Sequence, residues 1–237
     1  MKNLDVVFFH IGDITQPQLL TLSIKKFNPD SEIYFITDLL TKDIEGVTET
    51  VRFDLDVNNL MTSRLEAFSR LKLTKPAIYL DTDVLVVRPI PVELFKENDV
   101  VLCNRTFSKN TLINTSFKNL DLSEYSGRTF GEIYPFLACF TFSKDYQLWS
   151  ECHKILMSLN DKFHFWYGDQ EALRIVYEKK IFNIGLLDEN IICTLPEYSK
   201  PNDGPYSVHF KGPIRKNLML QAADFILSDR YDHHDHM

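Results

Sequence analysis

Ala77-Ile78-Tyr79-Leu80-Asp81-Thr82-Asp83-Val84-Leu85-Val86-Val87 is the stretch on which the reading of this chain turns. Four apolar residues make a short buried strand, and two carboxylates one residue apart follow where that strand meets its exit loop. An unpaired carboxylate at the edge of an apolar sheet costs several kcal/mol or takes up a proton, so Asp81 demands a counter-charge. A divalent cation, together with any phosphate it carries, meets that demand, because hard cations prefer oxygen ligands. Taken alone, such a pair of aspartates is more often a turn whose side chains bond their own backbone. The apolar strand shifts the balance, since ligands of open α/β sheets bind beyond the carboxyl ends of strands.

Working outward, residues 6–9, 33–37, 51–53 and 100–103 read as further strands, and helical patterns separate them. That alternation is the βαβ signature of a largely parallel sheet covered by helices. Pro17 opens one helix, with Leu20, Ile24 and Phe27 on a single face and Asn28-Pro29 as its stop. A second helix carries Met61, Leu65 and Phe68, and with them Arg64 and Arg70. Residues 105–134 are polar and rich in Asn, Ser, Thr and Gly, the composition of a long excursion of the kind that covers a site. Residues 136–142 read as a strand, 144–159 as an amphipathic helix burying Leu148, Cys152, Ile155 and Leu159, and 207–210 as a short strand. Another helix begins near Gly168-Asp169-Gln170.

The 237 residues are 44% hydrophobic and 25% charged, which suits one globular domain. A net charge of -7, spread along the chain, argues against nucleic acid as a partner. Cys103, Cys139, Cys152 and Cys193 are too scattered for a zinc motif or a disulfide framework and read as reduced, buried thiols. The absence of a leader-like start and of any apolar run near ~20 residues predicts a cytoplasmic protein with no transmembrane segment, compatible with peripheral membrane contact. The His-rich stretch 232–237 has ligand chemistry but the composition of a frayed end.

Two further segments carry chemistry. Asp169-Gln170 begins a helix, where an aspartate usually caps orphan N–H groups, yet the pair also offers an acid and an amide to a reacting carbon. His209-Phe210-Lys211-Gly212-Pro213-Ile214-Arg215-Lys216 joins a third metal ligand to a glycine and three cations, the set a diphosphate needs; as an isolated segment it would be a basic surface turn.

In their order these motifs resemble nucleotide-sugar glycosyltransferases of the GT-A fold, most closely the family-eight group that contains glycogenin and bacterial galactosyl- and glucosyltransferases. Arg64, 17 residues before Asp81 (81 − 64), matches that family's helical arginine, and Tyr79 to Val86 match its "YLDxDvlv" strand. Asp169-Gln170 match its "DQ" pair, while His209, Phe210 and Gly212 match "HFxGxxK", with Arg215 in place of the lysine. The resemblance implies an α/β fold with a mixed, mostly parallel sheet, in a single domain over 1–237. Its nucleotide-binding half would be 1–103 and its acceptor and active-site half 104–237. It further implies that Asp81, Asp83 and His209 hold manganese or magnesium, with Asp169 and Gln170 catalytic. Arg64, Thr82, Lys211, Gly212, Arg215 and Lys216 would contact the donor, and His10, Gly12 and Asp38 would surround base and ribose. The implied reaction moves a sugar from a nucleotide diphosphate sugar, UDP-sugar ahead of GDP-sugar, to a hydroxyl acceptor such as a glycan or glycolipid, with retention favoured. One departure stands out: Phe136-Leu137-Ala138-Cys139 replaces the family's "FNAG", so Leu137 stands where an asparagine holds the donor sugar.

Other readings share parts of this pattern. A haloacid-dehalogenase-type phosphatase would use Asp81 as nucleophile, but eighty residues of α/β pattern precede the motif and its fifth position is Leu85. A sugar-phosphate nucleotidyltransferase needs a glycine-rich first loop, and Phe9-His10-Ile11-Gly12-Asp13 has one glycine. A non-catalytic nucleotide-sugar or carbohydrate-binding module is the reading in which the altered 136–139 segment marks lost activity.

Overall fold

The computed structural model describes residues 4–116, 120–199 and 204–228. The His-rich stretch 232–237 lies outside them. The chain runs β1 (Asp5–Phe9), α1 (Thr15–Phe27), β2 (Ile33–Thr37), β3 (Glu49–Arg52), α2 (Leu60–Leu71), β4 (Ala77–Leu80), β5 (Val84–Val86) and β6 (Val100–Asn104). It continues through α3 (Phe130–Ile133), β7 (Phe136–Ser143), α4 (Gln147–Met157), α5 (Lys162–Phe165) and α6 (Gly168–Lys179). Last come β8 (Ile184–Asp188), α7 (Glu189–Ile192), β9 (Ser207–His209) and α8 (Pro213–Leu227).

Seven strands form one sheet in the order β3-β2-β1-β4-β7-β6-β8, and only β7 opposes the common direction. This is the mixed, mostly parallel sheet that the alternating pattern predicts. Each of its central strands is buried on both faces, as a parallel sheet requires. Successive residues of β4 serve opposite cores: Tyr79 packs with Phe68 of α2 and Trp149 of α4, at ring separations of 5.0 and 4.6 Å, while Ile78 and Leu80 join Leu20 and Ile24 of α1. Two covered faces fix the register, because a one-residue slip would send every side chain to the wrong core.

The reversed strand has a positional consequence. β7 pairs Leu80 with Phe140 and Asn104 with Phe136, so its first residues lie beside the carboxyl ends of β4 and β6. Phe136-Leu137-Ala138-Cys139 is thereby carried to the end of the sheet where ligands bind.

Beyond Asp83 the chain leaves this sheet for a two-stranded ribbon, β5 against β9, with Val84 opposite His209 and Val86 opposite Ser207. Leu85, Val87, Val208 and Phe210 of the ribbon pack with Met219 and Ala223 of α8 into a small third core. Helix α8 and strand β8 are absent from the expectations drawn from sequence. The expected strands otherwise appear within two residues of their bounds. The described residues of 105–134 form the irregular excursion expected, which includes a short helical turn at Ser123–Tyr125 and α3, whose Thr129 and Glu132 form a capping box. Among the described residues, no helix is long and apolar enough to cross a membrane.

Candidate active site

The backbone holds the strand exits rigidly. Asp81 N–H donates to the Cys139 carbonyl at 3.0 Å, and Phe210 N–H donates to the Asp83 carbonyl at 2.7 Å. His209 N–H donates to the Thr194 carbonyl at 2.7 Å. These bonds set Asp81, Asp83 and His209 side by side, with one potential ligand atom from each lying within 4.8 Å of the others. Two carboxylate oxygens and an imidazole nitrogen form a donor set suited to a hard or borderline divalent cation. Asp83 also pairs with Lys216 Nζ at 3.2 Å and lies 3.3 Å from His209 Nε2.

Arg64, on α2 and only 8% exposed, binds both acidic motifs together. Its Nη2 lies 2.6 Å from Asp81 Oδ1 and donates to the Ala138 carbonyl at 3.0 Å, while Nη1 donates to Asp169 Oδ2 at 3.2 Å. A planar guanidinium with donors on several edges can make this three-way clasp, and a lysine cannot. Asp169 is the second residue of α6, and Tyr167 stands at the cap position, where no side-chain cap bond forms. The other carboxylate oxygen of Asp169 accepts from Gln170 N–H at 2.7 Å. The helix must start here without a Cβ at Gly168, because one would fall 2.0 Å from the Phe163 carbonyl oxygen.

Electrostatics separate the two aspartates. Burial raises Asp81 to about 6, with the Arg64 charge opposing and Asp83 reinforcing the rise. Burial works on Asp83 in the same sense, but His209 and Lys216 overcome it and hold that carboxyl at about 2. For His209 burial opposes the charge, yet the Cys139 sulfur and the Asp83 carboxylate lift it to about 10. Arranged this way, the group is a charged cluster balanced against its own neighbours.

These residues line a cleft of about 680 Å³ that also takes in Arg105, Leu137, Ala138, Trp166, Tyr167, Gln170, Lys211, Gly212 and Arg215. Gly212 caps α8 with φ +83°, a conformation that favours glycine. Lys211 reaches the fully buried Glu189 at 2.9 Å, and Arg215 pairs with Glu197. His10, Gly12, Asp38 and Thr82 are not among the lining residues. His10 Nδ1 shares a 3.0 Å hydrogen bond with Thr82 Oγ1, which brings the end of β1 against the aspartate pair. Gly12 N–H donates to Thr41 Oγ1, and Asp38 accepts from the Leu40 and Thr41 N–H groups of its own loop.

Comparison with solved structures gives this arrangement a context. The glycosyltransferase GlyE of Streptococcus pneumoniae superposes with a TM-score of 0.60 at 15% identity, over 98% of this chain and 64% of its own. The galactosyltransferase LgtC, solved in complex with donor and acceptor sugar analogs, superposes at 0.56 and 15% identity, over 93% of this chain and 95% of its own. The fold is GT-A. The chain spans under two thirds of GlyE but nearly all of LgtC. No protein-family model matches the sequence, and neither does any curated protein.

Arg105, in the cleft wall, and Glu189, fully buried behind it, are charged residues that the sequence reading did not single out. Arg105 directly follows β6 and donates to Gln170 Oε1 at 2.6 Å, and the rule that drew attention to Asp81, a charged residue ending an apolar strand, would have found it. Glu189 follows β8, and once that strand was missed nothing marked it. The four cysteines are free and buried, as expected, and Cys139 and His209 of the cleft wall cluster with the buried Cys193.

Proposed function

We propose that this chain is a glycosyltransferase that moves a sugar from a nucleotide diphosphate sugar, a UDP-sugar first, to a hydroxyl of a glycan or glycolipid acceptor. The observation that carries the reading is the Arg64 clasp, which joins Asp81 of the oxygen-and-nitrogen donor cluster to Asp169 across the cleft of a GT-A fold. Residues 1–103 would take the nucleotide, with His10, Gly12 and Asp38 toward base and ribose, and 104–237 the acceptor and active-site groups.

Asp81, Asp83 and His209 would hold manganese or magnesium, which supplies Lewis-acid charge to the departing diphosphate. Lys216, beside Asp83, and Lys211 and Arg215, beside Gly212, add fixed positive charge where the leaving group gathers negative charge. Asp169 has both oxygens engaged, one by Arg64 and one by Gln170 N–H. A carboxylate so held is a poor nucleophile and a well-placed anion for the positive charge of an oxocarbenium-like transition state. Its fixed orientation by Arg64 is what couples that anion to the diphosphate site. Retention at the anomeric carbon is the expected outcome, and NMR of the product decides it.

Asp83→Asn is the direct test. A nucleotide sugar with Mn²⁺ should raise the Tm of the parent chain, because ligands that bind only the folded state stabilise it. The variant should fold and lose both that shift and transfer. Full activity in the variant, or in EDTA, removes the metal from the reading.

A further inference from the structure

Arg105 is 7% exposed and lines the cleft, yet among the described residues its hydrogen-bond partners are all neutral. Nε donates to the Tyr134 carbonyl at 2.8 Å, Nη1 to Ser108 Oγ at 2.8 Å and Nη2 to Gln170 Oε1 at 2.6 Å. The Phe130 ring lies 5.0 Å from the guanidinium carbon. A guanidinium has five N–H groups, so two are unspent, one on each terminal nitrogen. Two donors on adjacent nitrogens of one planar group can serve the two oxygens of a carboxylate.

The other cleft cations are already matched. Arg64 has Asp81 and Asp169, Lys216 has Asp83, Lys211 has Glu189, and Arg215 has Glu197. Glu189 is the carboxylate that most favours the Arg105 charge, but its oxygens are taken by Lys211 Nζ and by the N–H groups of Thr106 and Phe107. Burying a cation with no carboxylate bonded to it is expensive, and a ligand that brings its own carboxylate into the cleft would offset that cost. Leu137 and Ala138, also in the cleft wall, offer no competing side-chain hydrogen bonds to a sugar. Arg105 bonds Gln170, the neighbour of Asp169, and that contact is what favours the sugar over the diphosphate.

We propose that the sugar seated beside Asp169-Gln170 carries a carboxylate, as a uronic acid does, and that Arg105 receives it as a two-pronged ion pair. This rests on the glycosyltransferase reading above. The test is calorimetric titration of the full chain with Mn²⁺ and, in turn, UDP, UDP-glucose and UDP-glucuronate, repeated with the GDP series. Parallel titrations add free glucose or glucuronate to the UDP-loaded protein. Arg105 should favour the uronate over the neutral sugar by about 10- to 100-fold, the range of a charged hydrogen-bonded contact. Arg105→Gln should erase that ratio while UDP itself binds as before. Arg105→Lys, which keeps the charge without the fork, should lower it and serves if the glutamine variant does not fold. Preference among nucleotide sugars assigns the carboxylate to the donor, and preference among free sugars to the acceptor. Nucleotide binding with no uronate preference in either series, or a preference that survives Arg105→Gln, overturns the inference alone. Failure of every nucleotide to bind with Mn²⁺ overturns the glycosyltransferase reading and this inference with it.

Discussion

Arg64 stabilises two carboxylates that would otherwise face the same cleft uncompensated. Removing one partner of a buried pair leaves the other charge stranded, which costs about 3–5 kcal/mol. Arg64→Ala should therefore lower stability by about that amount in urea titration, and Arg64→Met, which keeps much of the volume, should lose nearly as much. A loss below about 1 kcal/mol would mean the clasp is solvent-screened. The ligand residues make a second prediction at this scale. With His209 raised to about 10 and Asp81 to about 6, the metal-free site at neutral pH carries an imidazolium that must lose its proton before its nitrogen can bind an ion. Apparent Mn²⁺ affinity should climb about tenfold per pH unit between pH 6 and 8, and more steeply below 6, where Asp81 must also ionise. A flat profile over that range would take His209 out of the ligand set.

Elements deliver these residues to one another, and two of them are vulnerable. At Gly168 a methyl group would meet a backbone carbonyl, so Gly168→Ala should cost about 1–3 kcal/mol through overpacking and displace the start of α6 with Asp169 on it. Thermal melts together with turnover would show both effects. Met219 anchors α8 in the third core at 1% exposure. Met219→Ala should cost about 2–5 kcal/mol and loosen the helix that sets Lys216 against Asp83. The legibility of the chain divides along the same line. Strands β1, β2, β4, β6 and β7 were readable because their runs are buried on both faces. Strand β8 was not, since Ile184-Gly185-Leu186-Leu187-Asp188 forms a partly exposed sheet edge interrupted by a glycine. Helix α8 hid because its buried residues, Met219, Ala223 and Ile226, are few and most of its surface is exposed. Asp81, Asp83 and His209 were legible by residue type, but their convergence depends on ribbon pairing that no local pattern encodes.

For the molecule as a whole, the charged cluster links stability to pH. Asp83, held at about 2 against an ordinary 3.8, contributes stability that is complete above 3.8 and lost as pH falls toward 2. His209 contributes below its ordinary 6.5, and that share is lost as pH rises through about 10. Asp81 has the opposite sense for a carboxyl, so ionising it between about 4 and 6 subtracts stability. The metal-free chain should therefore lose Tm between pH 7 and 10, and saturating Mn²⁺, which binds the neutral imidazole, should flatten that loss. Melts in EDTA and in Mn²⁺ across the range would check it.

The ribbon of β5 and β9 has a consequence in time as well as in space. Asp83 and His209 are 126 residues apart (209 − 83), and they meet only when the late strand pairs with the early one. As the chain leaves the ribosome, the apolar strands carrying Asp81 and Asp83 emerge long before His209 does. Contacts this distant in sequence form slowly, because the closure entropy comes first. A partly made chain therefore has two acidic residues and no complete donor cluster, and if the cluster holds an ion as proposed, its capture would be a late event that marks the chain as finished through β9.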